Sequence, residues 1–171
     1  LIIKEEEVKM TETERQIIAL TKIRLSAHSE FNLKEFKNNS LVRAETNCFA
    51  LAIGSTYPYS EMYRLGTISG LRAENQEISS IEEMKEFFLG DMKTLDLKVA
   101  ESSEEETLSD NQYKIALFAK IYANDKICDY HFIRLIDNKW VEKRLGFSPR
   151  TLDGTLKELY NYWPWNFVGV Y

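Results

Sequence analysis

The stretch Tyr113 to Lys143, read as YKIALFAKIY, ANDK, ICDYHFIRLI, DNK and WVEK, leaves the chain little topological choice. Apolar and β-branched residues run for about ten positions, stop at turn-forming Asn-Asp, run again and stop at Asp-Asn. Segments joined this tightly must lie antiparallel, because a parallel crossover needs about a dozen residues or more. The spacing predicts strands over 113–122, 127–136 and 140–143, and the closing NFVGVY adds another.

Alternation along the second strand then sorts its side chains. Asp129, His131, Ile133 and Leu135 share one face; Cys128, Tyr130, Phe132 and Arg134 share the other. With a two-residue turn at Asp137-Asn138, Ile133 lies opposite Glu142 and His131 opposite Arg144. Glu142 is then a diagonal, same-face neighbour of His131, placed to hold the imidazole. A longer turn shifts the register and makes Asp137, Asn138 or Asp129 the orienting candidate.

Upstream the signals are helical. Thr11 with Glu14 fits a capping box opening an amphipathic helix over 11–27, and Ser80 with Glu83 fits a second, over 81–95. Residues 28–40 and 65–80 read as loops, and 1–10 as a disordered or helical extension. Between them CFALAI, closed by Gly54, reads as a short helix buried all round. The acidic run ESSEEETLSD (101–110) reads as a solvated connector. Helices first and an antiparallel sheet afterwards make the class α+β, in one domain over 1–171.

Composition narrows the partners. The chain is 44% hydrophobic and 29% charged, as expected of a soluble globular protein. A net charge of −5 argues against a nucleic-acid backbone or anionic membrane, and favours a basic protein or peptide segment over a polyanion. No apolar run is long enough to span a bilayer, and LIIKEEEVKM lacks the layout of a secretory signal. The chain thus reads as soluble, either cytoplasmic or exported as an effector. Two cysteines and two histidines supply a metal site poorly and make no disulfide scaffold.

Cys48 begins the buried helix, where partial positive charge and free amides favour a thiolate. A histidine from the sheet would complete a nucleophile–base pair, and His131 is the candidate. If His131 faces Cys48, Cys128 points to the opposite face, so a Cys48–Cys128 disulfide is disfavoured. Asn47 beside the thiol is an oxyanion candidate together with the Cys48 amide. Arg134 reads as half of a structural ion pair, Trp140 as core and His28 as a helix-end residue.

NCFALA followed by DYHFIRLIDNKWVEK resembles a bacterial subgroup related to the papain-like and NlpC-type (CHAP-related) cysteine peptidases. That subgroup carries Asn-Cys, then Asp-Tyr-His-Phe, then Trp-Ser-His-Lys. The resemblance covers about 25 residues in two blocks, with a terminal aromatic-Val-Gly-Val-Tyr besides. It implies a papain-like fold, with the nucleophile Cys48 on a helix packed against the sheet that bears the base His131. Glu142 stands where the subgroup has its second histidine, and Arg144-Leu145-Gly146 replaces its Pro-Gly. The implied activity is cleavage of an amide bond in a protein or peptide through a thioester, with no metal or organic cofactor. Deamidation or transglutamination on the same dyad, and a non-catalytic interaction domain of the same shape, are the alternatives.

Overall fold

The computed structural model describes residues 9–162 and 165–171, with backbone alone for 160–162. The expected extension over 1–10 therefore lies almost wholly outside the described residues. Helix α1 (Glu12–Ala27) opens through a full capping box. The Thr11 hydroxyl accepts from the Glu14 amide at 3.2 Å, and Glu14 accepts from the Thr11 amide at 3.3 Å. At α5 (Ile81–Thr94) half of the box forms: Ser80 accepts from the Glu83 amide, while Glu83 turns to the Ser79 amide and hydroxyl.

The 28–40 segment departs from expectation. It carries α2 (Leu33–Asn38), and α3 (Ser40–Glu45) follows directly. Asn32 and Asn39 are their N-caps, each accepting from amides of the turn that follows. Six-residue helices burying one side chain each, Phe36 and Val42, leave no apolar period to read.

Helix α4 (Cys48–Ile53) is buried at all six positions and ends at Gly54, whose φ of 74° suits a residue without a side chain. A Cβ at Gly54 would stand 3.1 Å from Arg134 Nη1 and 3.3 Å from the Phe31 ring. Among the described residues Arg134 makes no ion pair, contrary to expectation. It donates to the Ala52 carbonyl at 2.9 Å and lies between the rings of Phe31 and Tyr113, 3.9 and 3.8 Å from their centroids. A weakly hydrated planar cation is suited to that slot, where no carboxylate is needed.

Strands β1 (Ile115–Ile121), β2 (Ile127–Ile136), β3 (Lys139–Glu142), β4 (Arg150–Thr151) and β5 (Asn166–Val170) form one antiparallel sheet in the order β4-β3-β2-β1-β5. The class is therefore mixed, with helices and a five-stranded antiparallel sheet. Ile133 pairs with Glu142, as a two-residue Asp137-Asn138 turn requires. Both turn residues have positive φ, 50° and 64°, the mark of a type I′ turn. Arg144 lies beyond the end of β3, so the expected His131–Arg144 pairing does not form.

Both faces of the sheet are covered. Leu117, Ala119 and Phe132 pack with α4 and α5, and Phe49 meets Phe132 at 5.2 Å between ring centroids. Ala116, Phe118, Ile133, Trp140 and Val170 pack on the other side with Leu152, Leu156 and Leu159. The acidic connector is mostly exposed but tied down. Buried Lys114 donates to the carbonyls of Glu104 and Glu106, and Glu104 accepts from Trp140 Nε1 and the Leu156 amide. Among the described residues no helix is long and apolar enough to cross a membrane.

The turn offers a test of the register. Replacing Asp137-Asn138 with Asn-Gly should keep Glu142 opposite Ile133 and raise the unfolding free energy by about 0.5 kcal/mol in urea titrations. A third residue inserted there should abolish the His131–Glu142 contact, seen as loss of the imidazole's raised pKa by NMR.

Candidate active site

Asn47 caps α4 with both ends of its side chain occupied. Its Oδ1 accepts from the Phe49 and Ala50 amides at 3.0 and 3.1 Å, and its Nδ2 donates to the Tyr63 carbonyl at 3.1 Å. The side chain thus positions the helix start and gives one of its two amide hydrogens to Tyr63, while the Cys48 amide lies outside these bonds. Cys48 follows at the first helical position, 7% exposed.

His131 is 6% exposed and Glu142 4%. The Nε2 of His131 stands 3.0 Å from Glu142 Oε2. The other carboxylate oxygen, Oε1, takes a hydrogen bond from Arg150 Nη2, and Arg150 is the register partner of Glu142 on β4. Burial alone would drive the imidazole toward neutrality, but hydrogen bonding and charge from Cys48 and Glu142 outweigh it. The pKa rises from 6.5 to about 9. Burial likewise opposes the Glu142 charge, and His131 and Arg150 overcome that, so its pKa is lowered. With Nε2 turned to Glu142, Nδ1 is the ring nitrogen on the other side.

The approach of thiol to ring is less direct than alternation implied. Helix α4 packs on the Phe132 and Arg134 face of β2, whereas His131 belongs to the opposite face. The β2–β3 ladder stops at Ile133–Glu142, and the two groups meet past that end. Lys143, the residue after β3, fastens the same junction. Its buried ammonium donates to the carbonyls of Thr46 at 2.5 Å, Arg43 at 2.9 Å and Arg144 at 3.2 Å. Burial lowers its pKa to about 8, with Cys48 pulling the other way.

Trp165 covers the imidazole, with ring centroids 5.8 Å apart. Trp140, read as core, is buried in the second core and donates to Glu104. Asp129 is exposed and accepts from the adjacent Tyr130 amide, and Asn138 lies exposed in the turn, so the carboxylate brought to His131 is that of Glu142. Cys128 is a half-buried free thiol at the β1–β2 bulge, and Cys48 is free too. His28 ends α1, its Nε2 2.7 Å from the Leu95 carbonyl. Lys143, Arg150 and Trp165 escaped the reading of the sequence.

Among the described residues no three His, Cys, Asp or Glu side chains gather where they could hold a metal ion. No protein-family model matches the sequence, no curated protein matches it, and no solved structure matches the fold.

The raised imidazole pKa fixes the sign of a pH effect. A folded-state pKa of about 9 against 6.5 unfolded stabilises the native chain fully below pH 6.5, and that contribution disappears as pH rises through 9. The stability difference between wild type and His131→Asn in urea should therefore shrink by roughly 1–3 kcal/mol between pH 6 and pH 9.5. A difference that stays constant or grows would contradict the buried, carboxylate-paired imidazolium.

Proposed function

We propose that the chain is a cysteine-dependent hydrolase of papain-like fold that cleaves an amide bond in a peptide or protein. One observation carries this reading: a helix-start thiol, a buried imidazole it acts upon, and a carboxylate 3.0 Å from the far side of that imidazole. Nucleophile, base and orienting group stand in the order that general-base activation requires.

The chemistry follows from these positions. Cys48 Sγ, its proton passed to His131, attacks the amide carbonyl and forms the C–S bond. The resulting oxyanion is met by the Cys48 amide at the start of α4, where the helix dipole also favours negative charge. As the C–N bond breaks, imidazolium gives its proton to the leaving amine. Water then attacks the thioester with His131 taking its proton. A carboxylic acid leaves and the thiol is restored. Glu142 holds the ring by Nε2 throughout and stabilises its charged form. Transfer of the acyl group to an amine instead of water would use the same atoms.

The 7% exposure of Cys48 favours a second reading, an interaction domain in which the thiol is a packing atom. Alkylation separates the two. With iodoacetamide at pH 6 and modification located by mass spectrometry, native Cys48 should react at least about tenfold faster than in urea-unfolded chain. His131→Ala should remove that advantage, and Glu142→Gln should reduce it by about tenfold, the worth of one charge-assisted hydrogen bond. Native Cys48 reacting no faster than unfolded would leave the interaction domain standing and end the hydrolase reading.

A further inference from the structure

A cleft of about 290 Å³ opens beside Glu142, walled by Lys143, Arg144, Phe147, Ser148 and Arg150. Its lining is opposite in charge to the whole chain: Lys143, Arg144 and Arg150 stand against one carboxylate, where the chain has a net −5 overall. The Glu142 charge is already divided between His131 and Arg150. The Lys143 ammonium is turned away from the cleft, into the carbonyls of Arg43, Thr46 and Arg144, so the cations that open onto it are the two guanidinium groups. Arg144 is exposed and makes no ion pair among the described residues. Arg150 directs one nitrogen at Glu142, and its side chain is 67% exposed. Phe147 stands 68% exposed at the rim, beside Gly146 with its left-handed backbone. An exposed aromatic next to one guanidinium without an ion pair and another only partly engaged is suited to a carboxylate on a short apolar stem.

We propose that this cleft is the substrate's specificity subsite, and that it takes an acidic side chain, Asp or Glu, beside the amide bond to be cleaved. The inference rests on the hydrolase reading and deepens it. Whole-chain charge suggests a basic substrate, but what a substrate meets at the reacting atoms is the local field. Within a Debye length of about 8 Å at physiological salt the cations of this cleft outweigh distant acids.

Two electrophilic peptides, chloroacetyl-Gly-Asp-amide and its Asn counterpart, differ by one charge and alkylate a reactive thiol. At low ionic strength the Asp peptide should label Cys48 about fivefold faster or more, and 0.5 M NaCl should erode that preference. Arg144→Ala should bring the ratio of the two rates below about twofold, and Arg144→Lys should retain most of it. Taking the ratio cancels any general change in the thiol. Equal rates in the wild type, or an undiminished ratio in Arg144→Ala, would overturn the subsite. Failure of both peptides to label native Cys48, while both label unfolded chain, would overturn the reactive thiol and the subsite with it.

Discussion

Asp137 and Asn138 both hold left-handed backbone conformations, and the placement of Glu142 depends on that pair. A I′ turn is two residues long and twists with the strands it joins, so it admits one register. Side chains alternate along a strand, and a slip of one residue would send Glu142 to the helix side and Lys143 to the histidine side. The exchange would put a carboxylate among the carbonyls of Arg43 and Thr46 and an ammonium against the imidazole. Each would be buried among groups of the wrong polarity. Turn chemistry and site chemistry therefore enforce the same register from opposite ends of β3.

The buried charges share this logic. Glu142, His131, Lys143 and Arg134 are all nearly inaccessible, and each is met by groups that suit one arrangement alone. Taking such groups out of water costs several kcal/mol apiece, and apolar residues of similar volume often serve stability as well or better. What the charges add here is position. Lys143 ties the residue after β3 to the residues before Asn47, and Arg134 ties the middle of β2 to the last turn of α4. The short helix bearing Cys48 is thus clamped at both ends to the hairpin bearing His131 and Glu142. A six-residue helix has no stability of its own in water, so the clamps define where the thiol sits.

Much of this was legible from sequence, for reasons that differ by element. The hairpins could be read because alternation and turn residues agree, and α1 because Thr11 and Glu14 stand at capping-box spacing ahead of a periodic apolar run. Helices α2 and α3 could not, since six residues span too few turns for periodicity and their Asn caps look like loop residues. Parity placed Glu142 beside His131 correctly. It did not disclose that α4 packs on the other face of β2, because strand alternation says nothing about which layer a distant helix joins. Arg150 and Trp165 enter the site from segments with no local pattern, and Glu104 looked like one more acid in a charged run. Long-range partners of this kind are properties of the packed chain.

Glu142 differs from a neutral or histidine partner in the charge it brings to His131. A carboxylate stabilises imidazolium strongly, and one left unopposed would hold the proton firmly. Arg150 bears on this directly. By taking the second carboxylate oxygen it draws charge from the side away from the ring, which weakens the hold on the proton while keeping the geometry. The same guanidinium reaches the wall of the adjacent cleft. The charge on Glu142 and its hold on His131 are linked through one arginine, and that link follows from Glu142 and Arg150 being cross-strand partners in the register set by Asp137-Asn138.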